Sequence, residues 1–212
     1  MKTFKEIIIL SILLLTYIFI NAYTYSNIIS ENISKNVFRL HIIANSDQEE
    51  DQKLKYAVRD SIIDYMNYLC QNSSSKEETI SIISSHLNDF KNLADKIILK
   101  EGFSYHANVE LGNFKFPTKS YHDITFPAGF YDALEIKIGK ASGKNWWCVL
   151  YPSLCFINAT DSVLTNESKL QLKNSMSEEE YKIISENNNH PTNIKFKLVE
   201  FFNKTKFIAS KK

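Results

Sequence analysis

The sequence predicts an α+β domain behind an apolar N-terminal helix. Three observations carry that expectation. Ile7 to Ile20 form an almost unbroken apolar run. From Ser46 to Lys100, apolar residues recur at helical spacing. Beyond Gly102 the pattern changes to alternation punctuated by turn residues. The resulting order is strand, two helices, several antiparallel strands and a C-terminal helix, which segregates helices from sheet. With 212 residues, 44% of them hydrophobic, the chain can bury one core of ordinary size. A net charge of +1 argues against the large electrostatic footprint of a nucleic-acid binder.

Lys2 and Lys5 precede the apolar run, and Asn21-Ala22 follow it. A basic start, an apolar stretch and a small residue form the layout of a secretory signal. Including Ala22 and Tyr23 brings the run close to the roughly 20 residues of a spanning helix. Two readings stay open: a cleaved signal peptide, or an uncleaved signal-anchor, over residues 1–25. Both carry the following chain out of the cytoplasm, where disulfides are permitted. Residues 26–36 read as a polar neck, and 37–212 as a single exported domain.

The domain opens with V-F-R-L-H-I-I-A-N. Phe38, Leu40 and Ile42 alternate with Arg39, His41 and Ile43, which is strand periodicity. Arg39 and His41 share a face, and Asp60 of the next helix is the expected partner of Arg39. Ser46 followed by Glu49 has capping-box spacing. Asp47, Glu49, Glu50 and Asp51 put negative charge where a helix dipole favours it. The stripe Leu54, Ala57, Val58, Ile62, Tyr65, Met66, Leu69 carries the helix to Cys70. A second helix is predicted over Lys76–Lys100. Strands follow at Phe103–Phe114, Tyr131–Ile138 and Trp146–Leu150. The region from Asn158 to Asn193 is polar, with one short helix around Ser177–Ser185. A terminal helix is expected within Ile194–Phe207.

No metal or cofactor is expected. The chain lacks H-E-x-x-H, the Cys148–Cys155 spacing is not that of a zinc knuckle, and Asp47–Asp51 lacks the glycine and spacing of a calcium loop. There is no G-x-S-x-G elbow. The five histidines, at 41, 86, 106, 122 and 190, are scattered, so a Cys148–His pair in space stays open.

The strand Tyr131–Ile138, the turn Gly139–Gly143 and the following strand suggest a hairpin. Neighbouring residues of a strand face opposite ways. Trp146 and Trp147 therefore divide between faces, one inside and one against a covering element, solvent or a partner. Were the chain to reverse within Leu150–Ser153, Cys148 would lie opposite Cys155, close to disulfide geometry. That pair would close a loop worth about 2.5 kcal/mol in the chain-entropy model. Cys70 is left over as a small buried hydrophobe.

Two stretches resemble a known family. F-R-L-H-I-I-A-N-S-D-Q-E-E-D-Q-K-L-K-Y-A-V-R-D (38–60) and F-P-A-G-F-Y-D-A-L-E-I-K-I-G-K-A-S-G-K-N-W-W-C-V-L-Y-P-S-L-C (126–155) are similar to signatures of stage II sporulation protein R, as is I-K-F-K-L-V-E-F-F (194–202). Within them Glu49, Asp51, Arg59, Asp60, Gly129, Tyr131, Gly143 and Asn145 are taken as structural motif residues. The resemblance implies a non-enzymatic signalling protein of endospore formation. It would be exported from the forespore into the space between forespore and mother cell, with the N-terminal segment in the membrane before or without cleavage. Its implied partner is a membrane-embedded aspartyl protease of the mother cell, which then processes the precursor of the early mother-cell sigma factor. The candidate partner-binding residues are Arg39, His41, Asn45, Ser46, Asp47, Trp146 and Trp147. The competing reading is an envelope hydrolase using Cys148 or a Ser beside a His.

Overall fold

A computed structural model describes residues 2–121, 123–152 and 166–185. Its elements are α1 (Lys2–Lys35), β1 (Phe38–Ile43), α2 (Glu49–Cys70), α3 (Lys76–Ser85), α4 (Leu87–Lys100), β2 (Ala107–Phe116), β3 (Lys119–Tyr121), β4 (Ile124–Phe126), β5 (Gly129–Ile138), β6 (Asn145–Tyr151), α5 (Asn166–Asn174) and α6 (Glu178–Ser185). The class is α+β. The terminal helix expected within 194–207 lies outside the described residues.

A four-stranded mixed sheet, in the order β2-β5-β1-β6, organises the domain, and β3-β4 form a separate hairpin. β1 is central, parallel to β5 and antiparallel to β6. The expected β5–β6 hairpin is therefore corrected, because β1 lies between its two arms. Alternation identifies a strand but not its neighbour. Here β1, buried on both faces, takes the central position that a half-polar edge strand could not.

The first face of the sheet packs on α2, α3 and α4. Phe38, Leu40, Ile42, Leu134, Ile136, Cys148 and Leu150 meet Leu54, Val58, Ile62, Ile83, Phe90 and Ile98 there. The second face carries a smaller core, in which Tyr131, Ala133, Val149 and Phe116 meet Ile33 of α1, Ile124 and Phe126 of β4, and Leu172 and Ile184 of α5 and α6. Helix α5 occupies part of the stretch that reads as merely polar.

The expected helix over Lys76–Lys100 is two helices. His86 leaves helical geometry at φ −115° and ψ 15°, and its Nδ1 and the Ser85 hydroxyl both bond the Ile82 carbonyl. Side chains competing for backbone acceptors break the helix where hydrophobic periodicity continues through. The capping box is also corrected. Gln48, not Ser46, occupies the N-cap and makes no side-chain cap bond. Ser46 instead donates its hydroxyl to Asp51 at 2.5 Å. The acidic first turn, Glu49 to Asp51, is present.

Residues 26–36, read as a neck, continue α1 to Lys35 and dock on the domain. Ile33 is wholly buried. Ser30 donates to the Ala128 carbonyl at 3.1 Å. Lys76 Nζ donates to the Ser34 carbonyl at 3.0 Å and pairs with Asp132 at 2.7 Å. A cation on the last carbonyls of a helix satisfies orphan acceptors and complements the dipole.

Candidate functional site on the second face of the sheet

The alternation of β1 decides which chemistry sits where. Phe38, Leu40 and Ile42 enter the α2–α4 core, so Arg39 and His41 project to the other face. Across β6, Leu40 faces Cys148 and His41 faces Trp147. Across β5, His41 faces Glu135.

Arg39 is fully buried. Its Nη2 donates to the Tyr121 hydroxyl at 2.9 Å, and its guanidinium carbon lies 4.1 Å from the Phe116 ring and 4.8 Å from that of Tyr131. Nε and Nη1 have no partner among the described residues. Aromatic faces thus stand where a carboxylate was expected. Asp60 is not that partner. It binds Arg59, Nη2 to Oδ1 at 2.6 Å, and α2 packs on the opposite face.

His41 is buried between three groups. Nδ1 is 2.8 Å from Glu135 and Nε2 is 2.8 Å from Asn145 Oδ1. Its ring stacks on Trp147 with centroids 3.7 Å apart and planes 10° from parallel. Burial pushes its pKa below the usual 6.5, against the upward pull of Asn145 and Glu135. A neutral imidazole has one N–H, which Glu135 claims. Nε2 then accepts, and Asn145 serves it best with its amide NH2 turned inward. Glu135 continues the network to Lys137 at 2.5 Å, and Lys137 reaches Glu110 at 3.2 Å. The result is a row of linked polar groups, neutral His41 followed by Glu135, Lys137 and Glu110, beside a stacked Trp on the part of this face that runs toward exposed Glu110 and Asn145.

Trp146 turns the other way. The Arg59 guanidinium sits 4.4 Å from its ring, and Tyr56 meets it edge-on at 5.7 Å. Both tryptophans are half-buried, each against its own covering group.

Asn45 and Ser46 are used internally. Asn45 donates to Asp51 at 2.9 Å and accepts from the Lys140 amide at 2.9 Å. Tyr105 donates to the other Asp51 oxygen. Burial acts to raise the Asp51 carboxyl, and the bonds from Ser46, Tyr105 and Asn45 outweigh it, leaving the pKa lowered. Gly143 lies so close that a Cβ there would stand 2.1 Å from the Ser46 carbonyl oxygen. Of that loop, Asp47 is exposed. Gly129 sits against Ser30 of α1, and buried Tyr131 donates to the Pro127 carbonyl at 2.7 Å.

Cys148 is disulfide-bonded, and Cys70 is a free thiol whose pKa burial raises. Cys155, the expected partner, lies outside the described residues. Cys148 faces the helical core whereas His41 faces the second side, so the two form no dyad. A cavity of about 290 Å³ between the end of α2 and β6 is lined by Met66, Cys70, Thr79, Leu150 and Tyr151, without a histidine among the described residues. No cluster of three His, Cys, Asp or Glu side chains suited to a metal occurs among the described residues.

Glu135, Lys137 and Tyr105 escape sequence reasoning. Glu135 and Lys137 lie on the polar side of an alternating strand, and only the parallel register with β1 sets Glu135 against His41.

A family model described as Stage II sporulation protein R matches residues 34–162. The chain is 36% identical over 137 residues to the Stage II sporulation protein R of Bacillus subtilis (strain 168), which covers 65% of this chain and 61% of that protein. The match therefore spans less than two thirds of the relative's length. No solved structure matches the chain. Since the family model takes in more than half of the chain, including β1 through β6, the protein belongs to the stage II sporulation protein R family, a family of sporulation proteins.

Proposed function

We propose that the protein is a non-enzymatic signal of endospore formation, exported from the forespore into the space between forespore and mother cell. There it activates a membrane-embedded aspartyl protease of the mother cell, and that protease processes the precursor of the early mother-cell sigma factor. The observation that carries this reading is family membership across β1 to β6. The apolar helix over Phe4–Lys35, long enough to span a bilayer, is consistent with a signal or anchor. The surface assigned to the partner is the His41–Trp147–Asn145 face, where a half-buried aromatic lies beside polar groups, as at interface anchors. Against an envelope hydrolase stand the bonded state of Cys148 and its position on the face opposite His41.

Sporulating cells lacking their own copy and supplied with this chain test the reading by immunoblot of the sigma-factor precursor. Processing is expected with the full chain and is lost when Trp147 is replaced by Ala in a protein that still folds and leaves the forespore. Absence of processing with the exported wild-type chain would overturn the activator role. Loss of processing on Cys148→Ser in a protein that stays folded and exported would return weight to the hydrolase.

A further inference from the structure

Helix α1 does not end at the membrane and hand over to a tether. It runs unbroken from Lys2 to Lys35, and its last turns are part of the domain. Ile33 is buried in the second core, Ser30 is bonded to the Ala128 carbonyl, and Lys76 joins the Ser34 carbonyl to Asp132 of β5. Ser30 lies at Gly129, the first residue of β5, and Ser34 lies at Asp132 by way of Lys76. The helix therefore runs alongside the beginning of β5 and projects past it, away from the sheet.

This placement fixes which end of the domain meets lipid if α1 is retained. About 20 residues span the hydrocarbon, so a span starting at Phe4 leaves it near Tyr23. Ser30 is then about 10 Å further along the axis. The headgroup layer is about 5–7 Å thick on each side, and spanning helices tilt by about 20°. A side chain level with Ser30 reaches that layer on the side toward which the helix leans. Phe130 is at this level. It follows Gly129, is 61% exposed, and projects to the face opposite Tyr131, whose ring is buried in the second core. Ile28 is exposed on α1, nearer the N-terminal span. The other flank of α1 is acidic, because Tyr25 bonds Glu179 in the Glu178–Glu180 turn of α6. An anionic leaflet repels that flank and favours a lean toward Phe130.

We propose that the end of the domain around Phe130, together with Ile28, is a membrane-seating surface whose occupant is the bilayer interface. The inference rests on the anchored reading of α1. The domain then rides directly on the bilayer, with the His41–Trp147 face held at a fixed height above it.

The full chain in phosphatidylcholine/phosphatidylglycerol nanodiscs tests this. The photocrosslinker p-benzoylphenylalanine is introduced, in separate preparations, in place of Tyr25, Phe130 and Leu99. Leu99, 74% exposed, lies at the far end of the sheet, since α4 leads into the first residue of β2, which pairs with the last of β5. Mass spectrometry after irradiation is expected to show lipid adducts at 25 and 130 and several-fold fewer at 99. Adducts at 25 without adducts at 130 overturn the seating surface and leave the anchor intact. Absence at both 25 and 130 overturns the anchor and the surface together. A protein–protein adduct at 130 assigns the patch to a second copy and overturns the lipid assignment.

Discussion

His41 holds its neutral form because its ring is buried, and that has a definite sign in stability. Its folded pKa lies below 6.5, so between the two values the unfolded chain binds a proton that the folded chain does not. Stability is complete above about pH 6.5 and declines as pH falls through the folded value. Urea unfolding at about pH 7.5 and about pH 5.5 should show this loss, and His41→Gln should reduce it. An equal loss in both proteins would assign the dependence to another group. The carboxylates with lowered values, among them Asp51 and Asp132, titrate from below 3.8 and act in a more acidic window. Alternation placed Arg39 and His41 on one face at the sequence level, but their partners were not readable. The groups that meet Arg39 come from β2, β3 and β5, more than 70 residues away by number, and no local pattern encodes which register brings them in.

At the scale of elements, the loop into α2 and the turn before β6 are one interlocked unit. Gly143→Ala would drive a Cβ into the Ser46 carbonyl and is expected to cost about 1–3 kcal/mol as overpacking, read as a shifted denaturation midpoint at unchanged slope. Helix α1 depends on α3 in the same way. Lys76→Ala removes both the bond to the Ser34 carbonyl and the pair with Asp132. It is expected to weaken docking by about 1–3 kcal/mol, seen as amide exchange about 5- to 150-fold faster within residues 29–35 while β1 stays protected. Unchanged exchange there would show that Ile33 and Ser30 hold the helix without Lys76. Neither dependency was legible beforehand. A Gly-rich turn signals reversal but not the carbonyl it abuts, and a polar stretch before a strand looks the same whether it is linker or docked helix.

For the whole molecule, the division into three helices on one face and a smaller mixed layer on the other follows from β1 being buried on both sides, apolar toward the helices and carrying Arg39 and His41 toward the other layer. The α+β class and the positions of the main strands and helices were legible because periodicity is a local property. Strand order was not, because it depends on pairings across the chain. One global prediction concerns thiols. Of three cysteines, Cys70 is free and Cys148 is bonded. Alkylation of unfolded, unreduced protein should add one label, at Cys70, and reduction should expose two more. Labelling at Cys148 before reduction would contradict the bonded state.

The central position of β1 also bears on when this domain can form. Arg39 pairs with Ala133 and Val149, so the strand nearest the N-terminus waits for two of the last strands. In a chain threaded through a membrane N-terminus first, β1 crosses early and has no neighbour until β5 and β6 have followed. Such long-range closure is slow. On that route the sheet closes only once the residues that flank its middle strand have arrived on the far side.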